Sequence, residues 1–150
     1  MTNVRSERLD EKDRQLLRAL ESDGRITAVE LAKRVGMSAP AVTDRIRRLE
    51  SNGVIRRFTA EIDLTALGYS LEAVVRIKPR PGNLHIVEQM IIDEERFTDC
   101  DKVTGDDCFI TRLVIKTITE LDDLLDPFHE RAETNTSIIK SAPIRGRMPI

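Results

Sequence analysis

The chain has no tryptophan, one tyrosine and four phenylalanines, so aromatics fill only 3% of its 150 positions. Single-stranded nucleic acid is commonly gripped by stacking bases on aromatic rings, and this sequence offers few such platforms. Two cysteines, Cys100 and Cys108, cannot build a disulfide framework, and their spacing is not that of a zinc site. No apolar run is long enough to span a bilayer, which argues against a membrane partner. The opening residues, M-T-N-V-R-S-E-R-L-D, are polar and lack the apolar core of a secretory signal. A reduced, cytoplasmic setting is therefore expected. A Gly-rich phosphate loop, a nucleophile elbow and a Cys–His pairing are all missing, so no catalytic residue is assigned. A small amino-acid enzyme is set aside because no acid–base or nucleophile pair assembles. Asp99, Cys100, Asp101, Asp106, Asp107 and Cys108 make an acidic cluster with no nearby histidine, so neither a metal nor any other cofactor is expected. His85 and His129 stand apart, each at or within an amphipathic helical pattern, as surface or helix-end residues.

What is present fits a globular protein: 40% hydrophobic and 33% charged residues, with seven glycines and six prolines. The net charge of −2 hides an asymmetry. Through Ala60 there are thirteen basic and nine acidic residues, net +4; from Glu61 onward there are eleven and seventeen, net −6. A basic half joined to an acidic half suggests two jobs. The expected division is residues 1–60, a linker strand or hinge at 61–70 around T-A-L-G-Y-S, and a second domain at 71–150.

The most informative stretch runs from Ile26 to Ile55. Thr27 with Glu30 three residues on predicts a helix start with a capping box, and Ile26 and Leu31 predict a hydrophobic staple across it. Gly36 suits the left-handed residue that ends many helices. Ser38 then caps a second helix, with Pro40 in its first turn where backbone N–H groups are unpaired anyway, and Gly53 ends it. Helix, short glycine-containing turn, helix is the helix-turn-helix pattern. In the second helix Val42, Ile46 and Leu49 share one inward face. The other faces carry Ala39, Thr43, Asp44, Arg45, Arg47 and Arg48, which with Ser38 suit base edges and phosphates of duplex DNA. Lys33 to Arg57 holds seven basic and two acidic residues, net +5.

A preceding helix is required to bury what a helix pair leaves open. Asp10 suits its N-cap and Asp13 its third position, Leu16, Leu17 and Leu20 form its apolar face, and Asp23-Gly24 marks its end. After Gly53, V-I-R-R-F-T-A-E-I-D-L reads as an extended wing, with Arg56 and Arg57 placed either to touch phosphates or to guard a strand edge.

The second half alternates patterns. Period-two hydrophobicity at Leu71, Ala73, Val75 and Ile77 predicts a strand. A helix with Ile86, Val87, Met90 and Ile91 follows, then strands at 97–104 and 109–116 around a Gly105-Asp106-Asp107 turn. A helix capped by Thr119 carries Leu121, Leu124, Leu125 and Phe128, with a kink or break expected at Pro127. The last strand is expected at 136–142, followed by a polar tail. The order βαββαβ is ferredoxin-like, an antiparallel sheet with two helices on one face. The bare face predicts a homodimer, whose symmetry sets two DNA half-sites roughly one helical turn, about 34 Å, or a multiple of it apart.

Taken together, Leu9-Asp10 with Asp13, Asp23-Gly24-Arg25, Glu30-Leu31-Ala32, Val35-Gly36-Met37-Ser38, Arg45 through Glu50 and Gly53-Val54-Ile55 resemble the Lrp/AsnC, or feast/famine, regulators of bacteria and archaea. The resemblance covers Leu9 to about Ile144. It implies an α+β protein: an N-terminal winged helix-turn-helix followed by a βαββαβ ligand-sensing domain. It also implies dimers that often assemble further, commonly to octamers, and small effectors, usually amino acids, bound between subunits. The family's sensor signature stands here as Val103-Thr104-Gly105-Asp106-Asp107-Cys108-Phe109. Gly105 lets a ligand approach the backbone closely, free N–H groups there suit a carboxylate, and Asp106 suits an ammonium group; a plain hairpin turn uses the same residues. One common family form has a second acidic residue where Cys108 stands and tyrosine where Phe109 stands, so leucine is not assumed as effector. Thr136 and Ser137 resemble polar positions near the family's pocket, although strand hydroxyls also simply face water. The leading expectation is a sequence-specific, metabolite-responsive transcription regulator of the nucleoid. The alternative is a sequence-tolerant protein that wraps DNA as a large oligomer.

Overall fold

The computed structural model describes residues 9–150; the polar lead at residues 1–8 lies outside the described residues. The chain divides into two compact units, one running through Glu61 and including Ile144–Ile150, the other Ile62–Pro143.

The first unit is built from α1 (Glu11–Ser22), α2 (Ala28–Val35) and α3 (Ala39–Ser51). Side chains start all three. Asp10 and Asp13 form a reciprocal capping box: Asp13 N–H donates to Asp10 Oδ1 at 2.8 Å, and Asp10 N–H to Asp13 Oδ2 at 3.2 Å. Thr27 Oγ1 accepts from Glu30 N–H at 3.2 Å. The expected box on α2 is half formed, because the Glu30 carboxylate takes a 3.1 Å bond from Arg34 one turn on. Ser38 Oγ accepts from Ala41 N–H at 3.4 Å, and Pro40 lies in the first turn. Gly36 closes α2 with φ of 65°, where a side chain would be strained. Lys12 Nζ, from α1, donates to the Val35 carbonyl, placing a cation at the negative end of α2. Leu16, Ile26, Leu31, Ala32, Val35 and Val42 form the core, with Ile46 packed against it.

The segment expected as the wing, after α3, carries no strand. After α3, Val54 and Ile55 N–H groups return to the Leu49 carbonyl at 2.9 and 3.0 Å, and residues 56–63 form no sheet pairing among the described residues. Val54, Phe58 and Ile62 are left exposed. A lone extended segment has no ladder partner, and a two-stranded ribbon is marginal even when it has one. The tail residues Ile144–Ile150 group with the first unit: Met148 N–H donates to Glu21 Oε1 at 2.7 Å and Arg18 Nε to the Ile150 carbonyl at 3.2 Å.

The second unit is a four-stranded antiparallel sheet in the order β2–β3–β1–β4, made of β1 (Leu71–Pro79), β2 (Phe97–Lys102), β3 (Phe109–Ile115) and β4 (Ala132–Ile138). Two helices, α4 (Leu84–Asp93) and α5 (Glu120–His129), complete the βαββαβ order. Val75, Ile77, Phe109, Leu113 and Ile115 point to the helix side and bury against Val87, Ile91, Leu124, Leu125 and Phe128. Each such side chain fully withdrawn from water contributes roughly 1.5–3 kcal/mol. Thr111, also on that side, donates its hydroxyl to the Val75 carbonyl at 2.9 Å, so a polar residue sits in the core without an orphaned group.

Three expectations shift here. Thr119 stands at the cap of α5 without a side-chain cap bond, its hydroxyl lying 2.9 Å from that of Thr117. Helix α5 runs through Pro127 without a break and ends two residues later. β4 starts at Ala132 and not at 136, because Glu133 and Ala132 continue the ladder opposite Lys78 and Pro79 of β1.

Candidate nucleic-acid interface and effector turn

Helix α3 presents its sides unequally. Val42 and Leu49 are fully buried, as the spacing predicted. Ser38 and Asp44 face solvent, while Ala39 and Thr43 are half-buried. The Thr43 hydroxyl already donates to the Ala39 carbonyl at 3.0 Å. Arg47 is 75% exposed, and its nearest carboxylate, Asp44, is 3.9 Å away and equally exposed. Such a surface pair is worth about 0–1 kcal/mol and yields readily to a phosphate. Arg56 and Arg57 are exposed as well.

Arg45 and Arg48 behave differently from Arg47: both reach carboxylates of α1, Arg45 partly buried and Arg48 still exposed. Arg45 Nη1 donates to Asp10 Oδ2 at 2.6 Å and to Asp13 Oδ1 at 2.8 Å. Arg48 Nη2 donates to Asp13 Oδ1 and Oδ2 at 3.0 and 2.9 Å. Asp13 is 1% exposed, Arg45 25% and Arg48 47%. The Asp10 carboxyl is held below its usual range, first by the Asp13 backbone N–H and then by Arg45. The Arg45 guanidinium is held still more firmly protonated, through its bonds to Asp10 and Asp13. Sequence reading sees three arginines on one helix; which of them meet carboxylates of another helix depends on how the helices cross.

In the second unit the turn between β2 and β3 closes with Val103 N–H donating to the Cys108 carbonyl at 2.7 Å. Phe109 N–H reaches the Asp107 carbonyl at 2.7 Å, a three-residue turn centred on Cys108, whose φ is 58°. That conformation is strained for a residue with a side chain, by roughly 1–3 kcal/mol, and no sequence signal foretold it. Gly105 has φ of 111°, and a Cβ there would meet open space, so the backbone is approachable. Thr104 and Asp106 are exposed. Asp107 instead lies 3.9 Å from Arg76 Nε of β1, and Arg76 Nη1 donates to Asn135 Oδ1 of β4 at 3.4 Å. Arg76 and Asn135 are neighbours of the turn that sequence reasoning missed, because only strand register brings them there.

Thr136 and Ser137 do not come together as a pair. Thr136 lies opposite Val75 and Ser137 opposite Val74, so they face opposite sides of the sheet. A cleft lined by Glu94, Arg96, Glu120 and Asp123 together with Leu124 and Pro127 lies beyond the other end of β2, where Arg96 bonds Glu120 at 3.1 Å. Among the described residues no group of three or more His, Cys, Asp or Glu could hold a metal ion, and no helix is long and apolar enough to cross a membrane.

A capped helix-turn-helix with an exposed cationic helix, joined to a βαββαβ sheet, defines a DNA-binding regulator with a ligand-binding domain. A family model described as winged helix-turn-helix DNA-binding matches residues 9–56, and one described as the Lrp/AsnC ligand binding domain matches residues 72–149. The chain is 36% identical over 132 residues to the HTH-type transcriptional regulator LrpA of Mycobacterium tuberculosis, covering 87% of this chain and 88% of that one. The structure of Bacillus subtilis LrpC superposes with a TM-score of 0.84 at 26% identity, covering 93% and 99% of the two chains. A feast or famine regulatory protein of M. tuberculosis complexed with L-methionine does so with a TM-score of 0.79 at 34% identity, covering 93% and 97%. The chain belongs to the Lrp/AsnC family of transcription regulators.

Proposed function

We propose that α3 reads duplex DNA from Ser38, Ala39, Thr43, Asp44 and Arg47, with Arg56 and Arg57 on flanking phosphates. The observation that carries this reading is Arg47, three-quarters exposed and held only by a weak surface pair. The effector is an amino acid seated at the β2–β3 turn, its carboxylate meeting backbone N–H groups beside Gly105 and its ammonium group Asp106, with Thr104 and Asp107 alongside. A methionine-bound relative of like fold supports that class of ligand. The chain acts as a homodimer on the nucleoid, in the cytoplasm, and assembles further, to an octamer or a similar size. The sheet side away from α4 and α5 supports this, because it leaves Val74 and Ile110, on the two central strands, only partly covered.

The test is operator binding at several salt concentrations. Arg47→Ala weakens binding and lowers the slope of log K against log salt by about 1. Wild-type affinity and slope in that variant would remove α3's outer side from the interface. Asp106→Ala keeps DNA affinity and blunts the amino-acid response; an unchanged calorimetric titration would take Asp106 out of the site. A ratio of specific to nonspecific affinity near one would favour the DNA-wrapping alternative.

A further inference from the structure

The clasp between α1 and α3 has a use beyond holding two helices together. Helix α3 packs chiefly on α2, through Val42 and its neighbours, and such apolar contact is non-directional. It fixes which face of α3 turns inward, through Val42 and Leu49, but supplies no directional tie for the side chains on the other faces. The polar tie to α1 is different. Arg45 and Arg48 are three residues apart and so leave α3 on one side. Both end on the same buried carboxylate, in bonds of 2.8, 2.9 and 3.0 Å, and Asp10 takes a further bond from Arg45 at 2.6 Å. Charge-assisted bonds to a carboxylate are strongly directional. Asp13 is itself locked, because its Oδ2 also accepts the Asp10 N–H that starts α1. Base-edge recognition needs its side chains placed within about 0.5 Å and 10–20°.

We propose that Asp13 is a positioning residue for DNA recognition: its buried carboxylate pins Arg45 and Arg48 and thereby sets the seat of α3. The two arginines serve as pins, not as phosphate contacts. The proposal rests on α3 being the reading helix. Its consequence is specific. Neutralising Asp13 loosens the seat of α3, leaves Arg45 only its bond to Asp10 and takes one carboxylate partner from Arg48, so both guanidiniums turn to the DNA backbone more readily. Specific binding weakens while nonspecific binding gains cationic partners.

The experiment measures specific and nonspecific duplex affinity across salt concentrations for the full chain and for Asp13→Asn, which keeps the size of the side chain. The expected result is a drop of about tenfold in the specific-to-nonspecific ratio, with the nonspecific salt slope steeper by up to about 0.9 for each arginine released. A purely structural role would lower both affinities together and leave that slope unchanged; this outcome, or an unchanged ratio, overturns the proposal. If Asp13→Asn does not fold, Asp10→Asn decides, since Asp10 is half exposed, holds Arg45 but not Arg48, and as asparagine keeps an oxygen to cap α1. A ratio lowered a fewfold supports the proposal, and an unaltered ratio sinks it. Arg47→Ala, run alongside, separates the two claims: if it leaves binding untouched, the choice of reading helix has failed, whatever Asp13 does.

Discussion

Each helix of the first unit starts under a side-chain cap, from Asp10, Thr27 and Ser38. Neither helix of the second does: Asn83 and Thr119 stand at the cap positions of α4 and α5 without a side-chain cap bond. Asn83 turns its amide to the Pro81 carbonyl at 3.4 Å instead. The difference follows from what each helix can lean on. Three short helices around a small apolar cluster offer little buried area, so local bonds at the ends and the ionic clasp at Asp13 must help seat them. Helices α4 and α5 lie on a four-stranded sheet, whose apolar side supplies most of their stability. The first unit is held by chemistry at its helix ends, and the second by surface removed from water.

The largest effect that tests this contrast is in the sheet. Phe109, 1% exposed, anchors the core beside the turn, and Phe109→Ala should cost about 3–5 kcal/mol in denaturant unfolding. Hydrogen exchange should show the loss at β1 and β3; a loss spread equally into α1–α3 would break the division. Next come the caps. Ser38→Ala should cost about 1 kcal/mol, and Thr119→Ala less than about 0.5, because only the first removes a cap bond. Equal costs would mean that the contrast in capping has no energetic meaning. The gentlest test is acid. The folded Asp10 carboxyl titrates below its ordinary 3.8, so its stabilisation is complete above that value and fades as pH falls through the lower folded one. Helical signal from the first unit should therefore loosen below about pH 4, and Asp10→Asn should lose that component of the acid transition.

Legibility divided along the same line. Caps and turn glycines are neighbours in sequence, so Asp10, Asp13, Thr27, Gly36 and Ser38 could be placed from spacing alone, and structure agrees with each. Period-two hydrophobicity made β1 readable, because one of its faces is buried. β4 was misplaced by four residues at its start: A-E-T-N-T-S-I is an edge strand of mostly polar residues, and only its ladder to β1 defines it. The segment after α3 was legible as part of a winged helix-turn-helix but not as a strand, since residues 56–63 form no sheet pairing among the described residues. At the effector turn, Gly105 was visible, but the left-handed Cys108 and the approach of Arg76 and Asn135 were not.

Sequence alone determined where helices begin, which glycines turn, that a basic half precedes an acidic one, and that the second half has βαββαβ order. Those features depend on residues a few positions apart, or on simple counts. Tertiary structure decided which charges are spent. Arg45, Arg47 and Arg48 are alike as letters on one helix, yet α1 lies close enough to hold two of them, Arg48 while still half exposed, and leaves the third to a weak surface pair. Bonds at 2.6–3.0 Å between residues 32–35 positions apart exist only once the helices have crossed, and no spacing in the chain encodes that approach.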